Sequence, residues 1–312
     1  MRRLLLVVLL VAVGAGGCGS NGQVAERNPA KASPTPALGG VRDTSRLVTV
    51  GDGRSLFLDC IGSGSPTIVL EAGFGGNTHD WDAVQPGLGE TTRTCAYDRA
   101  GIGNSVAGKG VRDAADEIDD LAHLLAAAHI DPPYVLVGHS YGGLLVRLFA
   151  QAHAQDTAGI VLVDSMGRNQ TQRTMAIWPT SQFRKLRREL AKPVRERVDL
   201  AAGEALAARI QTLHDTPLVV VTAGSETFGG APPRLARALR GLWTRMQDEL
   251  AALSSDHVHV VAVHSDHLVQ VPEGQPNVVI RAVRAVVNAA RDDTPLAPCS
   301  RLFPGAGVRC RD

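Results

Sequence analysis

Eight short runs of apolar and β-branched residues punctuate the chain. They fall at Leu47–Val50, Ser55–Cys60, Thr67–Glu71, Thr94–Tyr97, Tyr134–Val137, Gly159–Val163, Leu218–Thr222 and Val258–Val263. A run such as Tyr134-Val135-Leu136-Val137 puts apolar side chains on both faces of an extended chain. Both faces then need cover, which is the pattern of a buried parallel strand. The first two runs flank Gly51-Asp52-Gly53 and predict an antiparallel hairpin. Between later runs the period lengthens. Ile118, Leu121, Leu125 and Ala128 mark one helical face, with Asp113 placed to cap its start and Pro132-Pro133 to end the segment. Leu144, Leu145, Leu148 and Phe149 mark another, and a last helix is predicted over Val278 to Ala289, after Pro276. Strands alternating with helices predict a mostly parallel eight-stranded sheet with helices on both faces.

One long segment breaks the alternation. Residues 166–215 lie between two strand runs and contain helical, basic stretches such as "FRKLRREL". Their position predicts a helical cap, because lids over active sites are built from such insertions. The arginines and lysines read as a solvated face of it.

Composition then narrows the class. The chain has 312 residues, 44% hydrophobic and 20% charged, which suits a globular α/β domain. A formal net charge of +1 offers no electrostatic footprint for nucleic acid. The start reads differently from the rest. Met1-Arg2-Arg3 is a positive region, Leu4 to Val13 is an apolar stretch short for a bilayer, and small residues lead to Cys18. This predicts export, with residues 1–18 as a signal peptide and 19–43 as a flexible linker rich in Asn, Gly, Pro and Ser. Ala15-Gly16-Gly17-Cys18 resembles the lipobox of bacterial lipoproteins, departing from it at Ala15. The resemblance implies that Cys18 carries a lipid anchor at the outer face of the cell membrane; cleavage nearby would instead release a secreted protein. Four further cysteines agree with export. Their places in the predicted elements favour Cys60–Cys95 and Cys299–Cys310, the second pair closing a tail over 291–312.

The candidate chemistry sits in "VLVGHSYGGLLVRLFA", Val135 to Ala150. A strand, a Gly-x-Ser-x-Gly turn and a helix follow one another without a spacer. Such a turn lifts a serine hydroxyl above the carboxyl edge of a sheet, so Ser140 is the candidate nucleophile. A serine needs a base, an orienting acid and an oxyanion hole to act near neutral pH.

With this order of elements the chain resembles the α/β-hydrolase superfamily from about Arg46 to Ala290, and the hydrolase domain is placed at 44–290. The resemblance implies a triad in the order nucleophile, acid, histidine. "SDHLVQVPEGQPNVV" is similar to the superfamily's histidine loop and puts His267 in the catalytic place, with His264 as a neighbour. Two carboxylates compete for the acid: Asp164, directly after "GIVLV", and Glu226, after "PLVVVTAGS". Asp164 is preferred because it follows its strand at once. The resemblance further implies an oxyanion hole from the N–H groups of Tyr141 and Phe74. Ala72 stands where relatives carry a histidine. Trp81 matches a common aromatic and is a candidate for the pocket wall, and "YDRAGIGNS" (Tyr97 to Ser105) resembles a structural loop. The implied activity is cofactor-free, metal-free cleavage of a small-molecule ester or amide. A proline-releasing aminopeptidase, a perhydrolase and a non-catalytic binding lipoprotein are the competing readings.

Overall fold

The computed structural model describes residues 45–178, 196–225, 231–305 and 307–311. Cys18, the leader and linker, "FRKLRREL" and Glu226 lie outside these residues.

All eight expected strands form, within two residues of the expected bounds at either end: β1 (Arg46–Thr49), β2 (Ser55–Ile61), β3 (Thr67–Glu71), β4 (Thr94–Tyr97), β5 (Tyr134–His139), β6 (Thr157–Val163), β7 (Leu218–Ala223) and β8 (His257–Ala262). The expected count of eight is corrected to nine. Val308–Arg311 forms β9, antiparallel to β8, with Val260 opposite Cys310. Residues 291–312 were therefore wrongly set apart as a tail, since four of them belong to the sheet. A four-residue strand in which two arginines alternate with Val308 and Cys310 has too little apolar patterning to be read as one. The sheet runs β1-β2-β4-β3-β5-β6-β7-β8-β9. The six strands from β3 to β8 are mutually parallel, and the first two form the expected hairpin.

Alternation along each strand divides the core between two faces. Leu136, Ile160, Leu162, Leu218 and Val220 pack under α2 (Ala114–Ala127) and α3 (Tyr141–Ala152). Val135, Val137, Val161, Val219 and Val221 face the other way. There, α1 (Gln85–Gly89) and a helix over Pro276–Asp292 cover them with Leu88, Val279, Val283 and Val286. Asp113 caps α2 as its sequence predicts, accepting from Ala115 N and Asp116 N in a reciprocal capping box.

The insertion contributes α4 (Gln170–Ile177) and α5 (Leu200–Ala207). Residues 197–199 are held to the body by Arg112, whose N–H donates to Arg197 O at 2.7 Å while its carbonyl accepts from Asp199 N at 2.7 Å. The remaining α-helices among the described residues are α6 (Pro233–Ala251), α7 (Pro276–Asp292) and α8 (Cys299–Leu302). Both expected disulfides are formed. Cys60–Cys95 joins directly opposed residues of β2 and β4, and Cys299–Cys310 ties α8 to β9.

Candidate active site

Ser140 stands at the junction of β5 and α3 with φ 54° and ψ −116°. A side chain at positive φ costs about 1–3 kcal/mol and persists only where its surroundings impose it. They do so here. Ser140 N donates to Val163 O at 3.1 Å, and Ser140 O accepts from Gly143 N at 3.1 Å and Met166 N at 2.9 Å. The turn is possible only because two neighbours lack a Cβ. One on Gly138 would lie 2.5 Å from Gly142 O, and one on Gly142 would lie 2.2 Å from Glu71 O. The glycines let strand, turn and oxyanion loop touch backbone to backbone.

Asp164 directly follows β6, also at positive φ (41°), and is wholly buried. Its Oδ2 lies 2.7 Å from His267 Nδ1. Its Oδ1 accepts from Ala223 N at 2.9 Å and from Trp243 Nε1 at 2.8 Å. A carboxylate facing Nδ1 fixes the proton there and leaves the Nε2 lone pair for chemistry. The His267 backbone is held as well. His139 Nε2 donates to His267 O at 3.0 Å, and the two rings lie 4.6 Å apart. Burial, and then the neighbouring His267, push His139 well below the ordinary imidazole value of 6.5, so it stays neutral beside the base. His264 is exposed and takes no part; its N–H donates to Gln275 Oε1. Asp164 and His267 thus meet as expected, beside the Ser140 turn. Sequence reasoning missed Trp243, which reaches Asp164 from a helix 79 residues further on.

Phe74 and Tyr141 face each other with ring centroids 6.0 Å apart. Their N–H groups make no hydrogen bond among the described residues. Trp81 corrects an expectation. It is fully buried among Val84, Leu88 and Val279 on the α7 side of the sheet, so its place is in the core and not in a pocket wall. Phe74, by contrast, is partly buried in a separate apolar cluster with Trp178 at the end of α4 and Leu239, Leu242, Trp243 and Met246 of α6, the Trp243 that also donates to Asp164.

Behind the two N–H groups lies a buried charge cluster. Arg99, from the "YDRAG" loop, donates from Nε to Glu196, from Nη1 to Glu71 Oε1 (2.5 Å) and Ala72 O (2.6 Å), and from Nη2 to Gly73 O (2.6 Å). Glu196 Oε2 accepts from Gly75 N at 2.6 Å. Tyr97 OH donates to Glu71, and Tyr141 OH to Glu117 Oε2 at 2.5 Å. Although burial opposes its charge, Glu196, Glu71 and Glu117 keep Arg99 firmly protonated.

Three carboxylates around one guanidinium cannot all ionise without cost. Burial outweighs the pull of Arg99 and lifts Glu117 from 4.5 to about 8. Between those values the unfolded chain has released a proton that the folded one retains. Stability is therefore fully present below 4.5 and falls as pH rises towards 8. In Glu117→Gln the amide oxygen still accepts from Tyr141 OH, and this dependence disappears. The variant's thermal midpoint should gain steadily on wild type from pH 5 to 8, by the equivalent of about 1–3 kcal/mol at the upper end. A gap that stays constant across the window would contradict the assignment.

The family model described as alpha/beta hydrolase fold matches residues 66–207. The uncharacterized protein YqjL of Bacillus subtilis is 28% identical over 73% of this chain and 86% of its own length. Among solved structures, a hydrolase from Pseudomonas aeruginosa superposes with a TM-score of 0.57 at 21% identity, covering 79% of this chain and 99% of that one. A thermophilic esterase from Thermogutta terrifontis gives 0.54 at 22% identity, covering 79% and 99%. At these identities the solved structures speak for the fold alone.

Proposed function

We propose that this chain, which has the alpha/beta hydrolase fold, is a serine hydrolase cleaving carboxylic esters through an acyl-enzyme. The observation that carries this reading is the buried Asp164–His267 pair, 2.7 Å from oxygen to nitrogen, set beside the strained Ser140 turn. His267 Nε2 takes the hydroxyl proton as Ser140 Oγ attacks the carbonyl carbon. Asp164 stabilises the imidazolium that forms and holds its tautomer. Negative charge develops on the former carbonyl oxygen, and the N–H groups of Phe74 and Tyr141 receive it. His267 returns the proton to the departing alcohol. Water, activated by the same base, then releases the acid.

Phe74, partly buried among Trp178, Leu239 and Met246, makes the surroundings of the proposed Phe74 donor apolar, which favours a neutral, hydrophobic acyl or alcohol group. An aminopeptidase would need a free acid near the cap to grip the substrate's amine. Of the acids in the described insertion segments, Glu196 is engaged by Arg99 and Gly75 N, Asp199 by Ala202 N and Glu204 by Thr171, while Asp215 is exposed just before the start of β7, at the opposite end of the strands from Ser140. This supports ester over N-terminal peptide as substrate.

Labelling with a fluorophosphonate, followed by peptide mapping, tests the proposal. The probe should mark Ser140 alone, and p-nitrophenyl esters of increasing acyl length should show an optimum. A folded protein that neither labels nor hydrolyses any ester would count against it. The two disulfides support work in an oxidising compartment. The same digest of native protein without reductant checks that both persist.

A further inference from the structure

The oxyanion loop has an unusual support. In the Gly73–Phe74 peptide, the carbonyl accepts from Arg99 Nη2 at 2.6 Å, while the N–H belongs to Phe74. A trans peptide is planar, with its C=O and N–H pointing in opposite directions. Fixing the carbonyl therefore fixes the direction of the N–H. The preceding carbonyl, Ala72 O, is held by the same guanidinium at 2.6 Å, and the following N–H, of Gly75, by Glu196 at 2.6 Å. Three consecutive peptide units are pinned through one ion pair. A charged donor on the carbonyl also draws electron density along the amide and makes its N–H a better donor.

The cluster reaches the second N–H too. The Arg99 Cζ lies 5.5 Å from the centre of the Tyr141 ring, within cation–π range, and the Tyr141 hydroxyl ends on Glu117. None of these side chains touches the reacting atoms. Their contacts are with one another, with the backbone flanking Phe74 and with the Tyr141 ring and hydroxyl.

We propose that Arg99 and Glu196 are positioning residues of the reaction: Arg99 aims and polarises the Phe74 N–H through the Gly73 carbonyl, and Glu196 ties that alignment to the seating of the inserted segment. Glu196 belongs to the stretch that re-enters the body at 196–199, where Arg112 pairs with Arg197 and Asp199. Displacement of this stretch removes an acceptor from both Arg99 and Gly75. This role rests on the reading of Ser140 as nucleophile and Phe74 as oxyanion donor.

The test compares full-length wild type with Arg99→Lys, Glu196→Gln and Glu196→Ala. Folded active sites are counted by fluorophosphonate titration, and kcat and KM are measured on a p-nitrophenyl ester. Arg99→Lys keeps a charge but cannot span two carbonyls and two carboxylates. It should lose kcat by roughly 30- to 300-fold, the scale of a lost oxyanion donor, with KM within about threefold. Glu196→Ala should lose about tenfold, and Glu196→Gln, which retains an oxygen for Gly75 N, should recover most of that. A boronic acid that forms a tetrahedral adduct should weaken by the same factor as kcat/KM. A ground-state competitor should not.

Folded Arg99→Lys with wild-type kcat would overturn the role. So would a uniform loss in which boronate and competitor weaken together, the mark of a merely structural defect. If Arg99→Lys does not fold, Glu196→Ala decides on the same criteria. Wild type that fails to label at Ser140 would sink the nucleophile reading and this role with it; wild type and variants labelling at equal rates would sink the role alone.

Discussion

Ser140→Ala is expected to lower kcat about 10⁶-fold while leaving the fold intact. Alanine keeps the Cβ, and the backbone at φ 54° is held by backbone bonds to Val163 O, Gly143 N and Met166 N, which the substitution leaves in place. What disappears is the atom that must bond to the substrate. Residual turnover should come from substrate binding and the two N–H groups acting on water, a route worth about 10³-fold to 10⁴-fold over the uncatalysed rate. The thermal midpoint should match wild type, and the fluorophosphonate should no longer react. Retention of more than a few per cent of wild-type kcat would place the nucleophile elsewhere.

The second large effect is that of Asp164→Asn, about 10⁴-fold in kcat. Here the structure supplies a reason beyond analogy. Oδ1 of Asp164 accepts from two donors, Ala223 N and Trp243 Nε1. An asparagine must leave its oxygen with those donors and so turn its NH2 towards His267 Nδ1. That nitrogen then becomes an acceptor, the proton moves to Nε2, and the base loses the lone pair with which it would deprotonate Ser140. Stability should change little, since both donors stay satisfied. Glu226→Gln serves as the control and should retain near-wild-type rates. If Glu226→Gln is the one that abolishes turnover, Asp164 is a structural anchor for His267 and not the catalytic acid.

The parallel strands were legible because burial on both faces makes most of their positions apolar, with polar residues such as Glu71, His139 and Thr222 near their carboxyl ends. The elbow was legible because close backbone approach admits only glycine at Gly138 and Gly142. Asp164 could be preferred over Glu226 from its place directly after a strand, and His267 from the loop it opens. The supports were not legible. Arg99 and Glu196 lie 97 residues apart, and Trp243 lies 79 from Asp164. Such partners are chosen by how helices and insertion settle on the sheet, which leaves no local pattern in the chain. Trp81 misled for a related reason. An aromatic residue near a site is equally at home in a core, and only the direction of the short helical turn over Thr78–Trp81 decides between them.

The ninth strand has a consequence for how the molecule behaves in a crowd. Without it, β8 would be an open border of the sheet, lined by Val258, Val260 and Val261, with a row of unmet backbone groups able to recruit strands from other chains. β9 covers that border and presents a poorer one: four residues long, two of them arginines, with Arg311 engaged by Asp248. The Cys299–Cys310 bond holds this short cover in register. Reduction of that bond would therefore be felt first as a tendency of molecules to adhere edge to edge, before any change in the fold of the rest.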